Sequence, residues 1–300
     1  MAEPQRYTVE HETRYAYTAP VSQSWQLARL TPRALPWQRV VAHSLRIEPG
    51  VDERRDEVDS FGNTVTHFGL HGAHRALSVR MSCLVEVGER TSAASGTPAE
   101  AADNTSWEAV RESIRRDPQQ GELVPASMCE PTPLVPYSEA ALVYALPSFG
   151  HGRPWFDAVA DLMHRIHADF EFDPGATTVS TSVDEVLYQR RGVCQDFAHL
   201  MLACLRGIGL PARYVSGYLL TDPPPGQPRL MGADASHAWV AAYAPERGWI
   251  EFDPTNDQLA DNRYITLTWG ADFADVVPLR GVILGGGEQR MEVEVSVHPV

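Results

Sequence analysis

One cysteine of this sequence lies where a reactive thiol is expected. Cys194 occurs in the segment GVCQDFAH, residues 192–199, and a helical pattern of apolar residues begins at the cysteine and continues to Arg206. The N-terminus of a helix carries partial positive charge, which favours the thiolate, and the thiolate is the nucleophilic form of cysteine. This position therefore predicts a nucleophile, with a buried structural thiol as the alternative.

A histidine and an aspartate further along the chain are placed to assist this thiol. His237 lies on a predicted strand, residues 236–244, and Asp253 ends the next predicted strand, residues 248–253. A tight turn between two strands brings such side chains together, so that His237 would transfer protons and Asp253 would orient its ring. Considered alone, His237 would be interpreted as a core histidine, and Asp253 before a proline as the start of a turn.

The surroundings of the predicted nucleophile supply weaker candidates. Backbone N–H groups at the start of its helix, including that of Cys194, would bind the negative oxygen that forms when a thiolate attacks an acyl carbon. Gln195 follows directly and is a candidate for the oxyanion or substrate-binding site. Tyr218 and Trp239 are candidates for the wall of the cleft, but aromatic residues on strands are at least as typical of a core.

The cysteines and histidines do not form a recognisable metal site. The four cysteines are Cys83, Cys129, Cys194 and Cys204. They contain no Cys-x-x-Cys pair, so their spacing matches no zinc pattern. His164 and His167 are three residues apart on a predicted helix, as metal ligands can be, but no third ligand accompanies them, which favours a solvated helix face. We therefore predict no metal and no cofactor.

Composition restricts the partners. The 300 residues include 25 basic and 39 acidic side chains, for a net charge of −14, and every basic residue is arginine. An acidic protein gains no affinity from counterion release on nucleic acid, so neither nucleic-acid nor membrane-surface binding is expected. The first residues contain no apolar signal-peptide segment, and no apolar run approaches the roughly 20 residues of a membrane span, so we expect a cytoplasmic protein. The sequence does not specify the oligomeric state.

The elements that must position the candidate residues predict an α+β fold. The helix that bears Cys194 is followed by three strands, which favours a helix packed on an antiparallel sheet. The predicted divisions are a β-rich, sandwich-like N-terminal domain over 1–90, a linker and connecting helix over 91–150, a catalytic core over 151–270, and a C-terminal strand segment over 271–300. This last segment would pack back on the core or on the N-terminal domain.

Local signals define the individual elements. Ser106 and Ser182 are predicted helix N-caps, and Glu185 completes a capping box with Ser182. The predicted helices are 107–116, 154–168, 182–189 and 194–206. The predicted strands are 7–15, 40–47, 65–70, 77–87, 212–220, 236–244, 248–253 and 289–298. The predicted irregular segments are 91–104, 118–136 and 222–226.

Four segments in order resemble the transglutaminase-like superfamily. They are GVCQDFA at 192–198, GLPARYVSGY at 209–218, SHAW at 236–239 and FDPT at 252–255. The segments HETRY at 11–15, PV at 20–21, RLTPR at 29–33 and DSFGN at 59–63 resemble the β-rich region that precedes the core in bacterial members. The tail segment DVVPLRG at 275–281 is similar to the same subfamily, so the resemblance covers nearly the whole chain.

The resemblance implies a papain-like α+β core with a Cys-His-Asp triad, which maps onto Cys194, His237 and Asp253. The superfamily includes protein cross-linkers, peptidases, amidases and inactive scaffolds, and bacterial relatives of this layout are often regarded as cysteine peptidases. We therefore predict a thiol-dependent acyl enzyme that forms a thioester from an amide or peptide bond of a peptide or protein substrate. A cysteine peptidase or amidase is favoured, and a protein-glutamine transglutaminase or a non-catalytic scaffold is the alternative. No calcium site is carried over.

Overall fold

The N-terminal part of the chain consists of strands. The computed structural model describes residues 3–90, 104–117, 125–220 and 236–300. The first strands are β1 (Gln5–Ala28), β2 (Gln38–Glu48), β3 (Glu53–Val58), β4 (Thr64–Leu70) and β5 (His74–Val87). The β-rich N-terminal region predicted from sequence is therefore confirmed.

Helices and a second set of strands follow. The helices are α1 (Trp107–Arg116), α2 (Glu139–Ala145), α3 (Trp155–Asp169), α4 (Val183–Gln189) and α5 (Cys194–Gly207). The short strands β6 (Glu171–Phe172) and β7 (Arg191–Gly192) pair in parallel just before α5. The remaining strands are β8 (Ala212–Leu219), β9 (Ser236–Ala244), β10 (Gly248–Asp253), β11 (Gln258–Leu259), β12 (Tyr264–Gly270), β13 (Leu279–Gly285) and β14 (Gln289–Pro299).

Strand β1 organises the first sheet, which has seven strands in the order β2-β5-β1-β4-β3 with β13 and β14 also paired to β1. The first half of β1 lies between β5 and β14, and its second half lies between β4 and β13. The C-terminal strands are thus part of the N-terminal sheet. All these pairings are antiparallel, and one face of the sheet buries residues such as Tyr7, Val9 and Val85.

The second sheet carries the strands that follow α5, in the order β11-β10-β9-β8-β12. Helix α5 packs on this sheet through residues that are buried from Asp196 to Arg206. Small residues on β9, such as Ala238 and Ala242, lie in the same hydrophobic cluster and allow the helix to approach closely. The predicted core of a cysteine-bearing helix on an antiparallel sheet is confirmed.

The two sheets share a core. Tyr218 of β8, together with Ile265 and Leu267 of β12, packs in the cluster formed by the N-terminal sheet. The side chain of Gln38 adds a polar connection, since its Nε2 donates to the carbonyl of Thr266 at 2.7 Å and its Oε1 accepts from the N–H of Thr266 at 2.8 Å. The candidate core and the N-terminal sheet are therefore in direct contact.

Strand β3 has no clear signal in the sequence. Strand β3 is exposed and charged along its length, so it shows no alternation, and β4 fixes it through backbone pairing. The predicted N-caps Ser106 and Ser182, and the capping box with Glu185, are confirmed. Residues 91–103, 118–124 and the predicted loop 222–226 lie outside the described residues. Within the described ranges, no helix is long and apolar enough to cross a membrane.

Candidate active site

The start of α5 is fixed by an aspartate on its first turn. The carboxylate of Asp196 accepts the N–H of Val193 at 2.8 Å and the hydroxyl of Thr177 at 2.6 Å through Oδ2. The same side chain packs over Gly192, where an added Cβ would lie 2.8 Å from Asp196 Oδ2. A glycine is therefore required before Cys194, and the thiol is placed, half-buried, on the first turn of the helix.

His237 and Asp253 are joined across neighbouring strands. Nε2 of His237 donates a hydrogen bond of 2.7 Å to Oδ2 of Asp253, whose carboxylate is fully buried. Strands β9 and β10 pair antiparallel, with Phe252 opposite Val240, which brings the end of β10 alongside the start of β9. The two side chains therefore lie next to each other, as the sequence predicts.

The carboxylate of Asp253 also holds the turn that follows it. Oδ1 accepts the backbone N–H groups of Thr255 at 2.8 Å and Asn256 at 3.2 Å, as in an Asx turn. Oδ2 accepts the hydroxyl of Tyr264 at 2.7 Å and the amide of Asn256 at 2.7 Å. Burial acts to raise the pKa of Asp253, but the charge of His237 and these hydrogen bonds outweigh burial and lower it.

His237 also contacts the thiol. Burial acts to lower the pKa of His237, whereas the charge and hydrogen bond of Asp253 and a hydrogen bond with Cys194 raise it, and the net result is a pKa well above the ordinary 6.5. Since Nε2 is bound to Asp253, Nδ1 is the nitrogen left for the sulfur. The structure thus brings the three predicted residues together in the order thiol, imidazole, carboxylate.

Two aromatic rings enclose the imidazole. The ring of Trp239 lies 5.9 Å from that of His237 with an interplanar angle of 30°, and the ring of Tyr264 lies 6.1 Å away. Trp239 is fully buried, so it supports His237 from inside the fold instead of lining a cleft. Gln195 is half-buried next to Cys194 at the start of α5.

The sequence left two positions open for Tyr218, the wall of the cleft and the core, and the structure places it in the core. Its side chain is fully buried against the N-terminal sheet, and its hydroxyl is hydrogen-bonded to Nδ1 of His11 at 2.9 Å. Successive side chains of a strand point to opposite faces. Gly217, opposite His237 in the pairing of β8 with β9, faces Trp239, so Tyr218 is directed away from the candidate site.

Three polar residues of the site were not identified from the sequence. Tyr264 and Asn256 bind the carboxylate of Asp253, and Glu251 accepts the indole N–H of Trp239 at 2.7 Å. The alternation of β10 places Glu251 and Asp253 on one face, which is the one signal that could have indicated Glu251. Tyr264 is separated from the recognisable segments, so no local signal marks it.

The paired histidines on α3 bind the loop after Asp253. Nδ1 of His164 is hydrogen-bonded to the carboxylate of Asp257, and Nδ1 of His167 lies 2.9 Å from the carbonyl of Thr255. In the part of the chain that the structure describes, no three His, Cys, Asp or Glu side chains are grouped as metal ligands.

Comparison with known families agrees with this fold. Residues 149–254 match the model of the transglutaminase-like superfamily, and residues 7–86 match that of the bacterial transglutaminase-like N-terminal region. The matched core contains Cys194, His237 and Asp253. The chain belongs to the transglutaminase-like superfamily and has the domain layout of its bacterial members.

Individual relatives extend this comparison. An uncharacterised protein of Mycobacterium tuberculosis is 42% identical over 304 residues, covering 98% of this chain and 92% of the relative. A protein-glutamine gamma-glutamyltransferase of Pseudomonas aeruginosa is 35% identical over 124 residues, which cover 35% of this chain and 19% of that protein. The crystal structure of a candidate cysteine protease from Cytophaga hutchinsonii superposes with a TM-score of 0.73 at 19% identity, covering 100% of this chain and 92% of the other, and so shows the same fold.

Proposed function

We propose that this protein is a thiol-dependent acyl enzyme that hydrolyses an amide or peptide bond in a peptide or protein substrate. The observation that carries the proposal is the position of His237: it is hydrogen-bonded to Asp253 at 2.7 Å, and Cys194 at the start of α5 is near enough to raise its pKa. A thiol, a base and an orienting carboxylate in this order are the groups that acyl transfer requires.

The reaction follows from these groups. The Cys194 thiolate attacks the acyl carbon, and backbone N–H groups at the start of α5 bind the resulting negative oxygen. The imidazolium of His237 then gives its proton to the departing amine, which leaves a thioester on Cys194. His237 next removes a proton from water, whose oxygen attacks the thioester. The C–S bond then breaks, which releases the acid and restores the Cys194 thiolate beside the His237 imidazolium.

The raised pKa of His237 suits the first half of this cycle. The imidazolium is the form that pairs with a thiolate and protonates a leaving amine, and Asp253 favours that form because its carboxylate remains ionised. Asp253 cannot rotate away from the imidazole without losing the backbone hydrogen bonds of Thr255 and Asn256. The ring orientation is therefore held by the turn after β10.

A trapping experiment tests the proposal. The protein would be incubated with a peptide library at neutral pH, quenched in acid and digested, and the mass of the peptide that carries Cys194 would be measured. We expect an acyl adduct on Cys194 and loss of amide cleavage in Cys194→Ala, with cleavage retained in Cys129→Ala, whose thiol is also half-buried. Full cleavage by Cys194→Ala would overturn the assignment.

Amine transfer is the second candidate function. It is favoured by the similarity of 124 aligned residues to the protein-glutamine gamma-glutamyltransferase of Pseudomonas aeruginosa. The thioester on Cys194 would be the same, but an amine instead of water would attack it. Supplying a glutamine peptide with a biotinylated primary amine separates the two, because transfer attaches biotin to the peptide whereas hydrolysis releases a carboxylic acid.

A further inference from the structure

A buried ion pair, Arg90 with Glu251, contacts Trp239, the ring that stacks on His237. Glu251 is 5% exposed, and its Oε2 accepts the indole N–H of Trp239 at 2.7 Å and pairs with Nη1 of Arg90. The side chain of Arg90 is itself only 8% exposed. Trp239 in turn stacks on the imidazole of His237. A continuous chain of contacts therefore runs from Arg90 through Glu251 and Trp239 to His237.

Arg90 also holds the residue on the other side of the imidazole. Its Nη2 donates to the backbone carbonyl of Tyr264 at 2.6 Å, and its Nε donates to that of Asp261 at 3.0 Å. The hydroxyl of Tyr264 binds the carboxylate of Asp253 at 2.7 Å. One guanidinium group thus fixes the two aromatic residues that enclose His237, Trp239 through Glu251 and Tyr264 through its backbone.

The free-energy cost of burying the charges of Arg90 and Glu251 argues that the pair has a role beyond packing. Removing two charges from water is unfavourable, and apolar residues of similar volume often replace a buried ion pair without loss of stability. What apolar residues would not supply is a fixed acceptor for the indole N–H of Trp239. Arg90 lies just after β5, outside the core segment 149–254. Its guanidinium lies above the ring of Trp37, at 5.4 Å from the ring centre.

We propose that Arg90 and Glu251 are positioning residues for His237: they fix Trp239 and Tyr264, and thereby hold the imidazole between Cys194 and Asp253. The N-terminal region then contributes to the candidate active site itself. This inference rests on the proposed function, because the orientation of His237 matters to catalysis only if His237 transfers protons. The titratable groups that contact the imidazole are Cys194 of α5, Asp253 of β10 and Tyr264 of β12.

The test uses readouts that need no substrate. In the double variant Arg90→Met with Glu251→Leu, apolar residues replace the pair, which is expected to preserve folding. We would measure the rate of Cys194 alkylation by iodoacetamide against pH, and titrate His237 by NMR of ¹³C-labelled histidine. Since a misplaced catalytic group costs about 10- to 100-fold, we expect alkylation at pH 7 to slow about 10-fold or more. The pKa of His237 should also move towards 6.5.

Two further variants keep the test decisive. Trp239→Phe retains a stacking ring but removes the N–H donor, and should change the alkylation profile in the same direction by a smaller factor. Arg29→Met is the matched control, because Arg29 forms a partly buried ion pair with Asp59 away from His237, and should leave the profile unchanged. The inference would be overturned if the double variant and Trp239→Phe both folded and both kept the wild-type alkylation profile and the wild-type titration of His237. If the double variant unfolded, the result for Trp239→Phe alone would decide.

The outcomes also separate this inference from the proposed function. If Cys194→Ala retained full amide cleavage, the proposed function would fail, whereas the titration of His237 would still report whether Arg90 and Glu251 position the ring. Conversely, an acyl adduct on Cys194 together with an unaltered His237 titration in both variants would keep the function and reject the positioning role.

Discussion

The hydrogen bond between His237 and Asp253 ties the imidazole to a turn of the backbone. Nε2 of His237 donates to one carboxylate oxygen at 2.7 Å, while the other oxygen accepts the backbone N–H groups of Thr255 and Asn256. Asp253 is therefore both the start of a turn and the partner of a histidine. The two interpretations that the sequence left as alternatives describe the two oxygens of one side chain.

Replacing Asp253 by asparagine should separate the effect of its negative charge on His237 from the effect of its shape on the turn. Asp253→Asn can keep the turn, but it removes the charge that raises the pKa of His237, so the imidazolium should be lost at lower pH than in the wild type. We expect cleavage to fall on the order of 10⁴-fold and the alkaline limb of the pH–rate profile to move down. Asp257→Asn, in the same loop, is the control, and an unchanged alkaline limb in Asp253→Asn would contradict the assignment.

Alkylation should select one of the four cysteines. Burial raises the pKa of Cys83 to about 12 and that of Cys129 to about 11, and burial also raises the pKa of Cys204. These three thiols are therefore protonated at neutral pH, whereas Cys194 faces His237. We expect brief treatment of the folded protein with iodoacetamide at pH 7 to label Cys194, as located by mass spectrometry, and Cys194→Ala to remain unlabelled. Equal labelling of Cys129 and Cys194 would argue against an activated thiol.

Gly192 should tolerate no side chain. The Cβ of Gly192→Ala would lie 2.8 Å from Oδ2 and 2.9 Å from Cβ of Asp196, so the residue that fixes the start of α5 must move. We expect a loss of about 1–3 kcal/mol in the free energy of unfolding, with slower alkylation of Cys194. Gly150→Ala is the control because no atom lies within 4 Å of the added carbon. Similar unfolding curves for both variants would show that the contact has no energetic role.

Acidification should destabilise the contact between the two sheets. His11 is 1% exposed and hydrogen-bonded to Tyr218, and burial lowers its pKa to about 4. Between pH 6.5 and 4 the unfolded chain binds a proton that the folded chain excludes, so stability from neutral His11 is complete above pH 6.5 and is lost as the pH falls.

Urea unfolding at a series of pH values measures this effect. Over that window His11→Gln should reduce the pH dependence of the unfolding free energy by about 1.4 kcal/mol per pH unit, because each proton contributes that slope. A His11→Gln slope equal to that of the wild type would mean that the folded chain binds a proton at His11 as readily as the unfolded chain does, and would contradict the lowered pKa.

The sequence by itself determined the local elements and the candidate nucleophile. The capping box of Ser182 and Glu185 and the start of α5 at Cys194 depend on residues within a few positions of one another. The strand pair that brings His237 to Asp253 spans 16 residues, a separation that one turn closes. Signals of this kind can be recognised in the sequence because the interacting groups are close together along the chain.

The tertiary structure decided which side chains surround that site. The sequence left Tyr218 as a candidate for either the cleft wall or the core, and strand alternation directs it into the core against His11, 207 residues away in sequence. Arg90 and Glu251 are 161 residues apart and meet only because the end of the N-terminal sheet lies against the second sheet. Contacts of this range depend on how whole sheets pack, and no local pattern records them. The sequence therefore located the candidate thiol, base and acid, and the packing of the two sheets determined what holds the base in place.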